Sequence, residues 1–367
     1  HAASGAAALS EGSEASAPRD PLGALSPEWV SWLCEALHSG APAAAVEEAL
    51  AAEGHPAPRA LLAALRAHPL YAWARRQRAR AARAETYAHL HEALWAARPA
   101  AGRLPRLTAP SAERFFEDFY LCGRPVVLEG WASRWAAVDP SSGRAWSAAR
   151  LEALGPVPVQ VSEGREGRAD FDRRFEELSR PIALDALARR VMSAGVTNDF
   201  YLIARNYALE QPALRALLDD IDEAPYLDPA RRAGALALWF GPAGTLTPLH
   251  HDTCNILFVQ VWGEKTLTLA PPHALELLDD ATHMYSDLDP RRDLAAAPVC
   301  DGQVSVRLRA GEALLIPVGW WHHVYAHTPS ISLAMTHFRA PCAFDWYRPG
   351  GAQLSGAPAR PPRAPLG

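Results

Sequence analysis

Two rhythms of apolar spacing divide this chain. From Ser26 the apolar positions recur at helical intervals. Ser26-Pro27 reads as an N-cap followed by proline at the first helical position, Trp29, Leu33 and Leu37 fall four apart, and Gly40 stops the run. A second helix is predicted from about Ala43 to Glu53, closed by Gly54, and a third over roughly Pro58 to Ala67. A longer helix follows, about Pro69 to Ala97, whose Arg75, Arg76, Arg78, Arg80 and Arg83 read as a solvated face rather than a grip for an acidic partner. After one more helix, Ala112–Leu121, the rhythm changes to short strand-like runs broken by Gly, Pro and Asp. These are Pro125–Leu128, Val157–Val161, Leu236–Phe240, Asn255–Val261, Lys265–Leu269, Val304–Leu308, Ala313–Ile316 and Ser332–Phe338.

Many short strands with turn signals predict a barrel or double sheet, and a metal site held between strands favours the double-sheet jelly roll, the cupin-type double-stranded β-helix. The expected organisation is a disordered stretch over 1–22, a small all-α module over 23–97, a linker over 98–110, a mainly β domain with flanking helices over 111–345 and a flexible tail over 346–367. Three short helices with glycine stops make a bundle of the size that binds a leader or partner segment.

Composition narrows the classes. The chain is 49% hydrophobic and 21% charged, as soluble globular domains are, and its net charge of -5 gives no electrostatic push towards nucleic acid or acidic membranes. No apolar run approaches the ~20 residues that span a bilayer. The five cysteines, Cys34, Cys122, Cys254, Cys300 and Cys342, are scattered and never spaced C-x-x-C, which argues against a disulfide framework or zinc knuckle and for a reducing cytoplasm. The first residue is His1 rather than methionine, as expected of a truncation, and a targeting segment is left open. Arginine has replaced lysine almost everywhere, which suggests a GC-rich, bacterial coding genome. Lys265 is the one lysine among 36 Lys+Arg.

That lysine stands fifteen residues after His250, the start of His250-His251-Asp252. In a strand, side chains at i and i+2 share a face, so His250 and Asp252 can converge on one metal while His251 points away. Two neutral imidazoles and one carboxylate suit Fe(II) and leave positions open for a bidentate ligand and oxygen. The third ligand is expected from Trp320-Trp321-His322-His323, which follows the strand Ala313–Ile316 and the turn Pro317-Val318-Gly319. Alternation allows His322 or His323, not both. A zinc or manganese cupin would use the same ligand types. Lys265 opens a strand after a hairpin turn, where an ammonium could pair with the far carboxylate of a chelating 2-oxoglutarate, and Thr247 could donate a hydroxyl to the same group.

Three segments together resemble the JmjC-domain 2-oxoglutarate oxygenases: Trp239-Phe240-Gly241-Pro242-Ala243-Gly244-Thr245-Leu246-Thr247-Pro248-Leu249-His250-His251-Asp252, Phe258–Lys265, and Gly311–Val324. The hydroxylase branch is the nearest likeness, with factor inhibiting HIF, the Jumonji arginyl hydroxylases and bacterial cupin-like relatives. Gly123–Gly130 resembles the family's entry strand, so the likeness covers about residues 110–345 and leaves out the helical module.

The resemblance implies a JmjC jelly roll holding Fe(II) through His250, Asp252 and His322, which settles the choice between the two histidines. It implies 2-oxoglutarate binding by Lys265 and Thr247, by Tyr201, and by Thr336 or its neighbour His337. Relatives carry an asparagine in the run after the aspartate; in Thr253-Cys254-Asn255-Ile256 it comes one position early, on the other face by alternation. The implied activity is hydroxylation of an amino-acid side chain in a peptide or protein, releasing succinate and CO2. Demethylases of the family tend to carry Glu where this chain has Asp252. The alternatives are an N-methyl demethylase and a non-catalytic metal-cupin or peptide-binding module. The expected partner is a peptide or protein held by the helical module, without nucleic acid or membrane; a homodimer is compatible with this reading.

Overall fold

The computed structural model describes residues 25–97, 103–204, 206–274, 277, 284–286, 288–289 and 302–341. The expected disordered start, 1–22, and flexible tail, 346–367, lie outside the described residues, and the helical module is described from Leu25 onward. The chain divides into two compact units, residues 1–89 and 90–367.

In the first unit, α1 (Pro27–His38), α2 (Ala43–Ala52) and α3 (Pro58–Ala67) bury Leu33, Val46, Leu50, Leu62 and Leu65 together. Ser26 accepts the Trp29 N–H at 3.4 Å, as the N-cap reading requires. The following helix α4 (Pro69–Ala96) exposes all five of its arginines from Arg75 to Arg83, which fits a solvated face.

The second unit, which takes in the end of α4, continues with β1 (Arg106–Thr108), α5 (Ala112–Phe115) and β2 (Val126–Glu129). Part of the stretch expected as a linker is therefore a strand, pairing with β2 in parallel. Next come α6 (Ala148–Glu152), β3 (Pro158–Glu163), α7 (Phe175–Leu178), β4 (Ser179–Ala183), α8 (Leu184–Ser193) and β5 (Phe200–Tyr201). The remaining strands are β6 (Leu236–Gly241), β7 (Leu246–His250), β8 (Ile256–Trp262), β9 (Lys265–Ala270), β10 (Val304–Leu308), β11 (Ala313–Ile316), β12 (Trp321–Ala326) and β13 (Ser330–Met335).

They form a six-stranded sheet, β1-β2-β11-β8-β13-β6, a four-stranded sheet, β10-β9-β12-β7, and a small sheet, β4-β3-β5. Alternation shows how the two large sheets face each other. Val127, Phe258, Leu314 and Ile316 of the first pack with Leu267, Leu269, Val306 and Val324 of the second. Their neighbours Val126, Leu128, Leu257, Val259, Ala313 and Leu315 point the other way, into a core shared with α6 and α8 through Leu151, Leu187 and Val191. The six-stranded sheet is thus buried on both faces, which is why its strands read as continuous apolar runs. This is the double-stranded β-helix of a cupin, with flanking helices.

Two backbone details bear on the site. Gly263 turns the β8–β9 hairpin at φ +79°, where a Cβ would clash with the Pro329 carbonyl oxygen. Opposite β12 the register of β7 shifts: His322 pairs with His250, but Val324 pairs with Thr247. Pro248 and Leu249 together oppose His323, a bulge that inserts one extra residue.

Candidate active site

The bulge decides what faces the interior. Thr247 and His250 are three apart, and in a regular strand they would point to opposite faces. With the extra residue between them, both line one cavity of about 270 Å³, together with Asp252, Trp239, Asp172 and Thr336. Asp252 lies just beyond the end of β7, yet the i, i+2 reasoning holds for it.

On β12, Val324 packs between the sheets, so His322 shares its face. His250, Asp252 and His322 each offer a ligand atom, all within 4.8 Å of one another. His250 Nε2 is 3.7 Å and His322 Nε2 3.4 Å from Asp252 Oδ2. The other ring nitrogens are tied to main-chain carbonyls: His250 Nδ1 to Pro248 O at 2.8 Å and His322 Nδ1 to Trp320 O at 3.0 Å. A carbonyl can only accept, so each Nδ1 carries the hydrogen and each Nε2 presents a lone pair towards the carboxylate.

The electrostatics agree with a cation-binding donor set. Burial, then the neighbouring His322, pushes the His250 imidazole below its ordinary value, keeping it neutral. Burial alone would raise the Asp252 carboxyl. The close approach of His322 and His250 outweighs it, so Asp252 stays ionised far below the usual carboxylate range. Two neutral nitrogens and one anion fit a divalent iron ion.

His251 and His323 point to the other side of their strands. His251 is buried edge-on against Trp321, ring centroids 4.7 Å apart. His250→Ala should therefore lose iron binding, while His251→Ala should keep it at a cost in stability of about 1–3 kcal/mol from lost packing. Iron titration alongside thermal melts checks both; loss of iron in His251→Ala alone would put the strand in the wrong register.

Lys265 shares the inward face of β9 with Leu267 and Leu269, and is 0% exposed. Its Nζ donates to the Tyr201 hydroxyl at 2.8 Å and lies 5.5 Å from the Phe258 ring centroid. Burial lowers the ammonium to about 7. Burial also pushes the Tyr201 phenol above its ordinary value, partly opposed by Arg165. Gly241 makes room for this tyrosine, since a Cβ there would lie 2.6 Å from the ring.

Thr336 and His337 separate clearly. Thr336 lines the cavity, donating its hydroxyl to Ala235 O at 3.2 Å. His337 belongs to a buried ion cluster in which Glu223 accepts from His337 Nε2 at 2.8 Å and from Arg232 Nε and Nη2 at 2.7 and 2.6 Å. Burial opposes the charge on Glu223, but these hydrogen bonds prevail and hold its carboxyl at about 2. A carboxyl depressed by folding stabilises above its unfolded value and ceases to do so as pH falls through the folded one. Roughly 3 kcal/mol should therefore be lost between pH 5 and 2. Glu223→Gln should be less stable than wild type at pH 7, with the gap closing below about pH 4 in urea melts.

Asn255 has a structural place: its Oδ1 accepts from Val318 N at 2.8 Å, in the turn that leads to β12. Sequence reasoning passed over Asp172, which lines the cavity and accepts the Tyr285 hydroxyl at 3.0 Å. It also passed over the aromatic wall formed by Trp239, Tyr207, Phe175 and Tyr285. Asp172, Phe175 and Tyr207 come from loops and a short helix without periodicity, which carry no local signal of facing the site.

Among the described residues, no helix is long and apolar enough to cross a membrane, and Cys34, Cys122 and Cys254 are free thiols. Residues 112–344 match the cupin-like domain family. Jumonji C domain-containing protein 5 of Drosophila melanogaster is 28% identical over 244 residues, 63% of this chain and 59% of the relative. Lysine-specific demethylase 8 of Xenopus tropicalis is 27% identical over 250 residues, 63% of this chain and 52% of that protein. The human bifunctional peptidase and (3S)-lysyl hydroxylase is 28% identical over 254 residues, 59% of this chain and 77% of its own. The chain spans little more than half the length of the first two. With the family match covering most of its length and the fold in agreement, the chain belongs to the cupin-like JmjC family of iron- and 2-oxoglutarate-dependent oxygenases.

Proposed function

We propose that this protein is an Fe(II)- and 2-oxoglutarate-dependent hydroxylase that acts on an amino-acid side chain of a peptide or protein. The observation that carries the reading is the convergence of His250, Asp252 and His322 on the inner face of a sheet whose next-but-one strand buries Lys265. His250, Asp252 and His322 would hold the iron. Lys265, with Tyr201 beside it, would take the far carboxylate of 2-oxoglutarate, helped by Thr247 and Thr336 on the cavity wall. Bound iron and co-substrate supply the oxidation of an unactivated C–H bond, with succinate and CO2 as co-products.

The residues of the chain supply positioning. Pro248 O and Trp320 O fix the imidazoles, and the apolar inter-sheet core around Lys265 strengthens its attraction for a carboxylate. Asp172 and the aromatic rings of Trp239 and Tyr207 make the cavity suitable for a basic side chain, through charge pairing and cation–π contact. The human relative's name describes a lysyl hydroxylase, which supports the same substrate class. The N-terminal helices, whose arginines are solvated, are proposed to hold the peptide.

Incubation with Fe(II), 2-oxoglutarate and Lys- or Arg-containing peptides should yield succinate and peptides heavier by one oxygen in mass spectrometry. Formaldehyde release from N-methylated peptides, with no oxygen gain on unmethylated ones, would establish the demethylase reading instead. No succinate at all would return the chain to the non-catalytic cupins.

A further inference from the structure

A larger cavity, of about 580 Å³, lies on the other side of the strands that carry the candidate ligands. Leu246 and Pro248 of β7 and His323 of β12 face it, as do Arg165, Phe171 and Asp172 from the loop after β3. Asp172 and Tyr285, hydrogen-bonded to each other, line both this cavity and the smaller one. The proposed reaction gives the larger space no task.

Its unusual member is Arg165. The residue is 1% exposed, and its guanidinium lies 4.3 Å from the Phe171 ring centroid and 5.4 Å from that of Tyr201. Nη2 donates to Leu246 O at 2.6 Å, but Nε and Nη1 have no hydrogen-bond partner. Among the described residues no carboxylate stands within ion-pairing distance of it. A buried lysine can shed its proton; a guanidinium cannot at ordinary pH, and Asp172 and Asp199 support its charge only from beyond ion-pairing distance, so a direct anionic partner would stabilise it.

The neighbouring carboxylates make their hydrogen bonds elsewhere. Glu166 accepts from Thr197 and from Asn198 N, and Asp172 accepts from Tyr285. Glu166, Asp172 and Asp289 line the cavity, matched in number by Arg165, Arg168 and Arg173, so its formal charge is balanced, and of these arginines only Arg165 is both buried and short of a partner. A carboxylate matches the planar guanidinium in charge and shape.

We propose that this second cavity is a carboxylate-binding site, with Arg165 as the group that holds the anion. The carboxylate comes either from a free organic acid or from an acidic residue of a polypeptide. The proposal stands apart from the proposed reaction, because it needs neither iron nor 2-oxoglutarate.

Calorimetry on the metal-free full chain tests it, with succinate as one probe and acetyl-Ala-Glu-Ala-amide as the other. The titrations are run in a Lys265→Ala background, which silences the inter-sheet ammonium. At least one probe should bind one-to-one, and Arg165→Lys should weaken it about tenfold or more, since an ammonium does not reproduce the planar fork. Asp172→Asn should tighten binding about threefold or more, by removing a repelling charge while leaving Arg165 in place. A gain of that kind cannot come from misfolding, so it decides the matter even if Arg165→Lys fails to fold. Binding of the peptide alone would identify a polypeptide as the source, and binding of succinate alone a free acid. No binding of either probe, or unchanged affinity in Asp172→Asn, would overturn the proposal.

Discussion

Lys265→Ala is expected to weaken 2-oxoglutarate binding by two to four orders of magnitude while leaving iron affinity nearly unchanged. The ammonium is fully buried, bonded to the Tyr201 hydroxyl and enclosed by apolar side chains from both sheets. Removing one member of a buried charge pair leaves the other desolvated, at about 3–5 kcal/mol, and each 1.4 kcal/mol is tenfold in affinity. Lys265→Arg should recover little, because the guanidinium is longer and planar in a space shaped for an ammonium.

The pH dependence follows from the same burial. With the free ammonium at about 7, the protein is half-protonated there before the co-substrate arrives. A bound carboxylate favours the charged form and raises that value, so binding takes up a fraction of a proton near neutrality. Affinity should therefore fall as pH rises above about 7, approaching tenfold per unit, and level off below it. Titration calorimetry in buffers of different ionisation enthalpy reads both the proton uptake and the slope. An unchanged Michaelis constant for 2-oxoglutarate in Lys265→Ala would end the assignment and reopen the plain metal-cupin reading.

Asp252→Ala is expected to abolish succinate formation and to weaken iron binding by a comparable margin. Asp252 is the only anion among the three grouped donors, and its carboxylate lies 3.4–3.7 Å from both Nε2 atoms. Without it, two neutral imidazoles face each other, ring centroids 4.2 Å apart, with no negative charge to balance a divalent ion. The fold should survive, since Asp252 lies beyond the end of β7 and outside the apolar clusters. Iron titration and circular dichroism separate the two effects. Turnover at the wild-type level would disprove the ligand assignment.

How far the sequence reaches differs from element to element. Seven of the eight strand runs anticipated from 125 onward fall within a residue or two of observed strands, because each is a short apolar run bounded by turn residues. The eighth, Ser332–Phe338, is displaced: β13 begins at Ser330 and ends at Met335. Strands β1, β4 and β5 were not anticipated, being short, partly exposed or only two residues long. Helix grammar was reliable in the N-terminal unit, whereas α6, α7 and α8 were not anticipated. α1 to α3 begin and end close to where their proline and glycine signals stand, since capping is a local interaction.

By itself, the sequence determined the double-sheet class, the facing of His250 and Asp252, and the singular position of Lys265, because period-2 alternation and residue type are local properties. Four things waited for the tertiary structure. The bulge in β7 exists only against β12, yet it lets Thr247 and His250 face one cavity. Packing of Val324 against the opposite sheet orients His322 inward, where alternation alone left two histidines open. Thr336 and His337 part only because Glu223, more than a hundred residues away, claims the histidine. Arg165 and Asp172 reach the cavities from loops with no repeat at all. Each of these depends on which surfaces meet across the sheets, a long-range contact that no window of neighbouring residues encodes.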